Sequence, residues 1–173
     1  MSRRPLQLLT LALALGAPAS ALSQGIFSPQ TFSARLNGFK EVPTLSTQGF
    51  GTFSADITVG DAGPTIAWTL TFSGLSAPAS AAHIHLGQPG VAGGIAVNLC
   101  GAGSAPACPA EGSVTGTIDA TSVVGPAEQG IAPGELQELL VAMVVGATYV
   151  NVHTATFPTG EIRGQIGPDL LGN

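Results

Sequence analysis

Charge is what this chain has least of: 9% of its 173 residues are Asp, Glu, Lys or Arg, and only five of those are cations. Arg3 and Arg4 sit at the extreme N-terminus, which leaves Arg35, Lys40 and Arg163 as the only basic residues of the remaining chain. Three scattered cations cannot neutralise a row of phosphates, so neither nucleic acid nor an anionic lipid surface is an expected partner. Long apolar runs are missing too: nothing approaches the roughly 20 residues that a membrane-spanning helix needs. Cysteine is reduced to two residues and histidine to three. No serine nucleophile motif, phosphate-binding glycine loop or carboxylate dyad is present, so the common hydrolytic and phosphoryl-transfer chemistries have no carrier.

What the chain does have begins with MSRRPLQLLTLALALGAPASALSQ. Two arginines, an apolar run from Leu6 to Leu15, and small residues ending in Ala19-Ser20-Ala21 are the three parts of a secretory signal peptide, expected over residues 1–23. Its removal leaves roughly 150 residues, enough for one core, and a single β domain is expected over residues 30–168. Three cations then face ten acidic residues, a formal charge of −7. The expected product is secreted or periplasmic, acidic, and without a transmembrane anchor. The Ser2-Arg3-Arg4 opening also resembles a twin-arginine export signal, so both export routes stay open.

Cys100 and Cys108 are the only cysteines, and an even count in an exported chain favours a disulfide over a reactive thiol. The small, flexible GAGSAPA between them allows the ring to close. The spacing is not that of a CxxC redox pair, and no cation flanks either residue to lower a thiol pKa.

Most of the remaining sequence alternates apolar and polar residues with period two, interrupted by glycine and proline, which is the pattern of half-buried strands. Residues 31–37 place Phe32, Ala34 and Leu36 on one face. Residues 51–59 do the same with Phe53, Ala55, Ile57 and Val59, and residues 65–75 with Ile66, Trp68, Leu70 and Phe72. Further strands are expected at 81–86, 94–99, 113–120, 148–154 and 160–167, about eight in all. Residues 133–146 break the pattern, with Leu136, Leu139, Leu140 and Met143 at helical spacing behind a proline and early glutamates. The expected fold is all-β: a Greek-key-like antiparallel sandwich or barrel with one short helix before the penultimate strand.

In AAHIHL, residues two apart share a face, so His83 and His85 point opposite to Ile84. In TYVNVHT, Val150 and Val152 face the core and Tyr149, Asn151 and His153 face outward. In GEIRGQIG, Glu161 and Arg163 face outward by the same rule. If these strands are neighbours, all three histidines share one outer surface with Glu161 and Arg163 near by. Two imidazoles at i and i+2 start about 6.6 Å apart at Cα and can lean toward one ion at about 2.0 to 2.1 Å, with a third ring supplied across the sheet. Imidazole ligation suits copper, zinc or nickel, whereas calcium and magnesium want oxygen. The expected metal ligands are therefore His83, His85 and His153, holding one such ion. Glu161 and Arg163 stand as supporting residues or as an ion pair that fixes strand register. Because the face is read as outward, replacing its histidines by alanine should leave the fold nearly as stable.

The blocks GFKEVPTLSTQGFGTFSADI, SGLSAPASAAHIHLGQPGVAG and YVNVHTATFPTGEIRGQI resemble the CHRD domain, named after chordin, from about Thr31 to Ile166. That resemblance implies an exported β-sandwich module and does not by itself settle an activity; the expected role is a non-enzymatic binding or structural module with an extracellular or periplasmic ligand that the sequence does not name. A more distant resemblance is to copper/zinc superoxide dismutase: Ser73-Gly74-Leu75, His83-Ile84-His85, the loop containing Cys100, the late His153, and Arg163-Gly164-Gln165-Ile166-Gly167 follow one another in that family's order. It implies copper on His83, His85 and His153, with Arg163 guiding an anion and a redox role as the leading enzymatic alternative. The chain departs from that family in the loop 86–112, which contains no histidine or aspartate, so the bridging histidine and the zinc site have no counterpart. Both cysteines also lie in one loop here.

Overall fold

The computed structural model describes residues 30–169, and the signal peptide expected over 1–23 lies outside them. Eight strands form: β1 (Thr31–Asn37), β2 (Phe50–Gly60), β3 (Gly63–Ser73), β4 (Ala79–Leu86), β5 (Ile95–Cys100), β6 (Gly112–Ile118), β7 (Thr148–Thr154) and β8 (Ile162–Pro168). All neighbours pair antiparallel, in the order β5-β4-β7-β8-β1-β2-β3-β6. The jumps from β3 to β4 and from β6 to β7 carry the chain between distant strands, which gives the sheet its Greek-key character. The sheet curls into a nearly closed barrel. At its seam β5 and β6 face each other, and the segment that follows β6 is joined to β5 by the Val97–Val123 bridge and by the Val124 N–H donating to Ala96 O.

The alternation read from the sequence is the burial pattern of the barrel. Phe32, Ala34 and Leu36, then Phe53, Ala55 and Ile57, then Ile66, Trp68, Leu70 and Phe72 line the interior. From the other half come Ala82, Ile84, Leu99, Val150, Val152, Ile162 and Ile166. Val59 departs from its expected place: it is 58% exposed, because it pairs with Pro64 at the tip of the β2–β3 hairpin, where the ribbon runs past the core. The helix α1 (Leu136–Val144) buries Leu136, Leu139, Leu140 and Met143 and packs against β8. It starts three residues later than the sequence pattern suggests, since Pro133 and Gly134 form a turn, and the Glu135 carboxylate accepts from Ala132 N–H ahead of the first helical residue. Cys100 and Cys108 are joined in a disulfide. No helix among the described residues is long and apolar enough to cross a membrane.

The strands that carry the histidines differ from the rest of the barrel. On β1 and β2 every second residue is exposed, whereas most residues of β4, β7 and β8 are buried on both faces. Their outer face lies beneath chain that the alternation rule does not describe: the β1–β2 connection (38–49), the β4–β5 loop (87–94) and the β7–β8 loop (155–161). The solvated outer surface expected for His83, His85 and their neighbours is therefore corrected to a second, polar interior. His83 and His85 are 7% and 8% exposed, and Tyr149, Asn151 and Arg163 are buried as well.

Candidate metal centre

Strand register places the ligands. β4 pairs with β7 so that His83 lies opposite Asn151, His85 opposite Tyr149, and Ala81 opposite His153. His153 is thus diagonal to His83 on the shared face, within reach of a ring. One ring nitrogen from each of the three histidines lies within 4.8 Å of the other two, and the cluster contains no carboxylate or thiol. Ring centroids are 4.8 Å apart for His83 and His153, 5.5 Å for His83 and His85, and 6.2 Å for His85 and His153.

Hydrogen bonds set the tautomers. His85 Nδ1 is 3.0 Å from Gly93 O and His153 Nδ1 is 3.0 Å from Pro158 O. A carbonyl only accepts, so both Nδ1 atoms carry the proton and both Nε2 atoms present a lone pair. His85 Nε2 is buried and has no hydrogen-bond partner. His153 Nε2 faces His83 Nδ1 at 3.0 Å, and with its own lone pair outward it accepts the His83 N–H. Two of three imidazoles are therefore oriented by main-chain carbonyls, the support that metal-binding histidines ordinarily have.

Burial pushes the His83 and His85 imidazoles down to about 4. Charge repulsion from His153 and His85 adds to this at His83; at His85 the bond to Gly93 opposes it and His153 and Arg163 reinforce it. Burial lowers His153 too, against the bond to Pro158. All three rings are neutral at pH 7, the form that ligates. Metal bonds of about 2.0 to 2.1 Å would require nitrogens up to 4.8 Å apart to close by roughly 1 Å.

A stack flanks the cluster. Tyr149, on the middle strand, lies against His85 at 4.8 Å between centroids with the planes 4° apart, and the Arg163 guanidinium from β8 sits 3.4 Å from the Tyr149 ring centroid. The Tyr149 hydroxyl accepts from Gly93 N–H at 3.1 Å, so Gly93 holds both the His85 ring and the ring beside it. Arg163 donates to Gln88 O and Gln165 to Gly87 O, which ties the 87–94 loop down over the stack. Gly93 is required there: a Cβ on it would run into Leu86 O. Below the cluster, Asn151 donates to Glu41 at 2.7 Å. Burial raises the Glu41 carboxyl to about 7, against the opposing pull of Arg163, the Val42 N–H and Asn151. Gly160, at φ +130°, passes so close to both that any side chain would collide with Asn151 and Glu41.

Glu161 and Arg163 are not the ion pair that their spacing suggests. Glu161 precedes the first residue of β8 and is completely buried, accepting from Ser76 N–H, Ser76 Oγ, Thr154 Oγ1 and Thr47 Oγ1 at 2.7 to 2.8 Å. Arg163 points toward Tyr149 and Gln88. Arg163 thus lies beside the cluster, while Glu161 fastens the loops around it. Glu41, Gln88 and Gly93 carry no signal in a two-residue period and enter the site only through loop packing.

No curated protein and no solved structure matches the chain. The CHRD domain profile matches residues 32–166, from the second residue of β1 into β8, including the three histidines, both cysteines and the 87–94 loop, and on that match the chain belongs to the CHRD-domain family.

Proposed function

We propose that this chain is an exported CHRD module whose working site holds one copper ion between His83, His85 and His153, and that it binds rather than chemically transforms its extracellular or periplasmic target. The observation that carries the reading is the unpartnered, buried Nε2 of His85, aimed with its tautomer already set into a cluster of two further imidazoles. A buried polar atom without a partner is costly, and a metal bond removes that cost. His83 Nδ1 and His153 Nε2 complete the donor set. Binding replaces the hydrogen bond between them by two metal bonds, and the displaced His83 proton moves to its own Nε2, so the ring stays neutral. Export is supported by the disulfide, which persists in oxidising compartments.

The test is elemental analysis of protein exported from cells grown with added copper. One copper per chain is expected, falling to background in the variant carrying His83→Ala, His85→Ala and His153→Ala. An equal copper content in that variant rejects the site.

A further inference from the structure

We propose that this site, on the metal-binding reading above, selects a monovalent soft ion, copper as Cu(I), over divalent Zn(II) and Cu(II). Imidazole ligates copper and zinc alike, so donor type does not choose between them. Charge does. The donors are three neutral rings, with no carboxylate or thiolate among them, so the bound ion keeps its whole charge inside a buried pocket. The cost of burying an ion rises with the square of its charge, and a divalent ion therefore loses far more hydration than a monovalent one.

The surroundings act in the same direction. The Arg163 guanidinium is fixed against Tyr149, which is itself stacked on His85. Its fixed charge beside the cluster repels a divalent ion twice as strongly as a monovalent one. Neither of the two buried carboxyls near by belongs to the donor set. Glu161 is turned to four donors from Thr47, Ser76 and Thr154, and Glu41, bonded to Asn151 and raised by burial to about 7, offsets the guanidinium only in part. Coordination number adds a third reason. Three protein ligands satisfy a d¹⁰ monovalent ion, whereas Zn(II) seeks a fourth, and the cluster offers no fourth side chain, while His85 Nε2 is closed to the solvent that would supply one.

Ag(I), which is monovalent, d¹⁰ and inert to redox cycling, is the direct probe. Competition titrations of the mature protein with Ag(I), with Cu(I) held by a reporter chelator under nitrogen, and with Zn(II) should give monovalent affinities higher by roughly 100-fold. Arg163→Gln should narrow that ratio by roughly tenfold, while Arg163→Lys, which keeps the charge, should preserve most of it. Because the readout is a ratio, a general loosening of the 87–94 loop, which weakens every ion alike, does not imitate the effect. Zn(II) or Cu(II) bound as tightly as Ag(I), through the same histidines, overturns the monovalent preference and leaves the metal site standing. An unchanged ratio in Arg163→Gln overturns the part given to the guanidinium charge. Failure of every ion to bind in a histidine-dependent way overturns the site itself, and the preference with it.

Discussion

Nδ1 of His83 and Nε2 of His153 lie 3.0 Å apart, joined across the β4–β7 pair by a hydrogen bond that a metal ion must displace. The chain thus holds two candidate ligands side by side, so part of the cost of ordering the rings is met before binding. Nitrogen-resolved NMR of the histidine rings checks this. In the metal-free protein all three rings should be Nδ1–H tautomers; on adding Ag(I), His83 alone should change to Nε2–H. A metal-free spectrum with His153 protonated at Nε2 contradicts the arrangement.

The Cys100–Cys108 link closes a ring of eight-residue separation, and it holds the loop whose Ser104, Ala105 and Pro106 line the cleft at the β5–β6 seam. Replacing both cysteines by serine should lower stability by about 2 to 3 kcal/mol, the loop-entropy value for so short a ring. Since the histidines sit on β4 and β7, metal affinity should not follow. Urea denaturation and an Ag(I) titration of the same variant measure the two effects separately.

The period-two pattern carries most of the fold because a strand buried on one face writes that burial into every second residue. Phe32 to Leu36 and Ile66 to Phe72 are read correctly for that reason. It also brings the three histidines to one face, since His83, His85 and His153 each sit beside core residues of fixed direction. The rule fails where a face is covered by irregular chain. Nothing in GQPGVAGG announces that it folds back over Tyr149 and Arg163, and the contacts that hold it, Gln88 O and the Gly93 peptide, are main-chain atoms that any sequence supplies. The ion-pair alternative for Glu161 and Arg163 fails for a related reason: Glu161 stands just outside β8, so strand alternation does not govern its direction.

Burial of the histidine face reverses the expected effect of alanine there. His85 is packed against Tyr149 and bonded to Gly93, so His85→Ala leaves a cavity and a Gly93 carbonyl held only by the long 3.4 Å bond from the Tyr149 hydroxyl. It should cost about 1 to 3 kcal/mol in the metal-free protein. Arg35→Ala, on the solvated side of β1, is the control and should change stability by less than about 0.5 kcal/mol. Equal denaturation midpoints for wild type and His85→Ala would restore the solvated reading of this face.

Glu161 should be the most costly single polar residue to change. Burial alone would raise its carboxyl, but the bonds from Ser76, Thr154 and Thr47 outweigh it and hold the carboxyl below the usual range. A group with a lowered folded pKa stabilises fully above its unfolded value, near 4.3 for glutamate, and that contribution is lost as pH falls through the folded pKa. Glu161→Gln turns an amide toward groups that donate and should cost about 3 kcal/mol at pH 7. The gap between wild type and variant should shrink as pH drops below about 4.3. A gap independent of pH from 7 to 3 would show that the charge is not what holds these loops.

Gly93→Ala separates the ligands from their support. No ligand is altered, yet a Cβ at this position collides with Leu86 O, so the loop must lift and the Gly93 carbonyl must leave His85 Nδ1. Free of that bond, the His85 ring can take either tautomer and rotate, and its Nε2 is no longer preset toward the cluster. Loss of such a supporting hydrogen bond weakens metal binding by roughly 10- to 100-fold. Ag(I) affinity should fall by that amount with stoichiometry unchanged, while the far-ultraviolet circular dichroism of the barrel is retained, because the β4–β7 and β7–β8 ladders do not depend on the loop. The Tyr149 hydroxyl loses the Gly93 N–H in the same step, so its near-ultraviolet signal, from the only tyrosine in the chain, should change together with the affinity. Full Ag(I) affinity in Gly93→Ala would show that the His85 ring is held without the carbonyl.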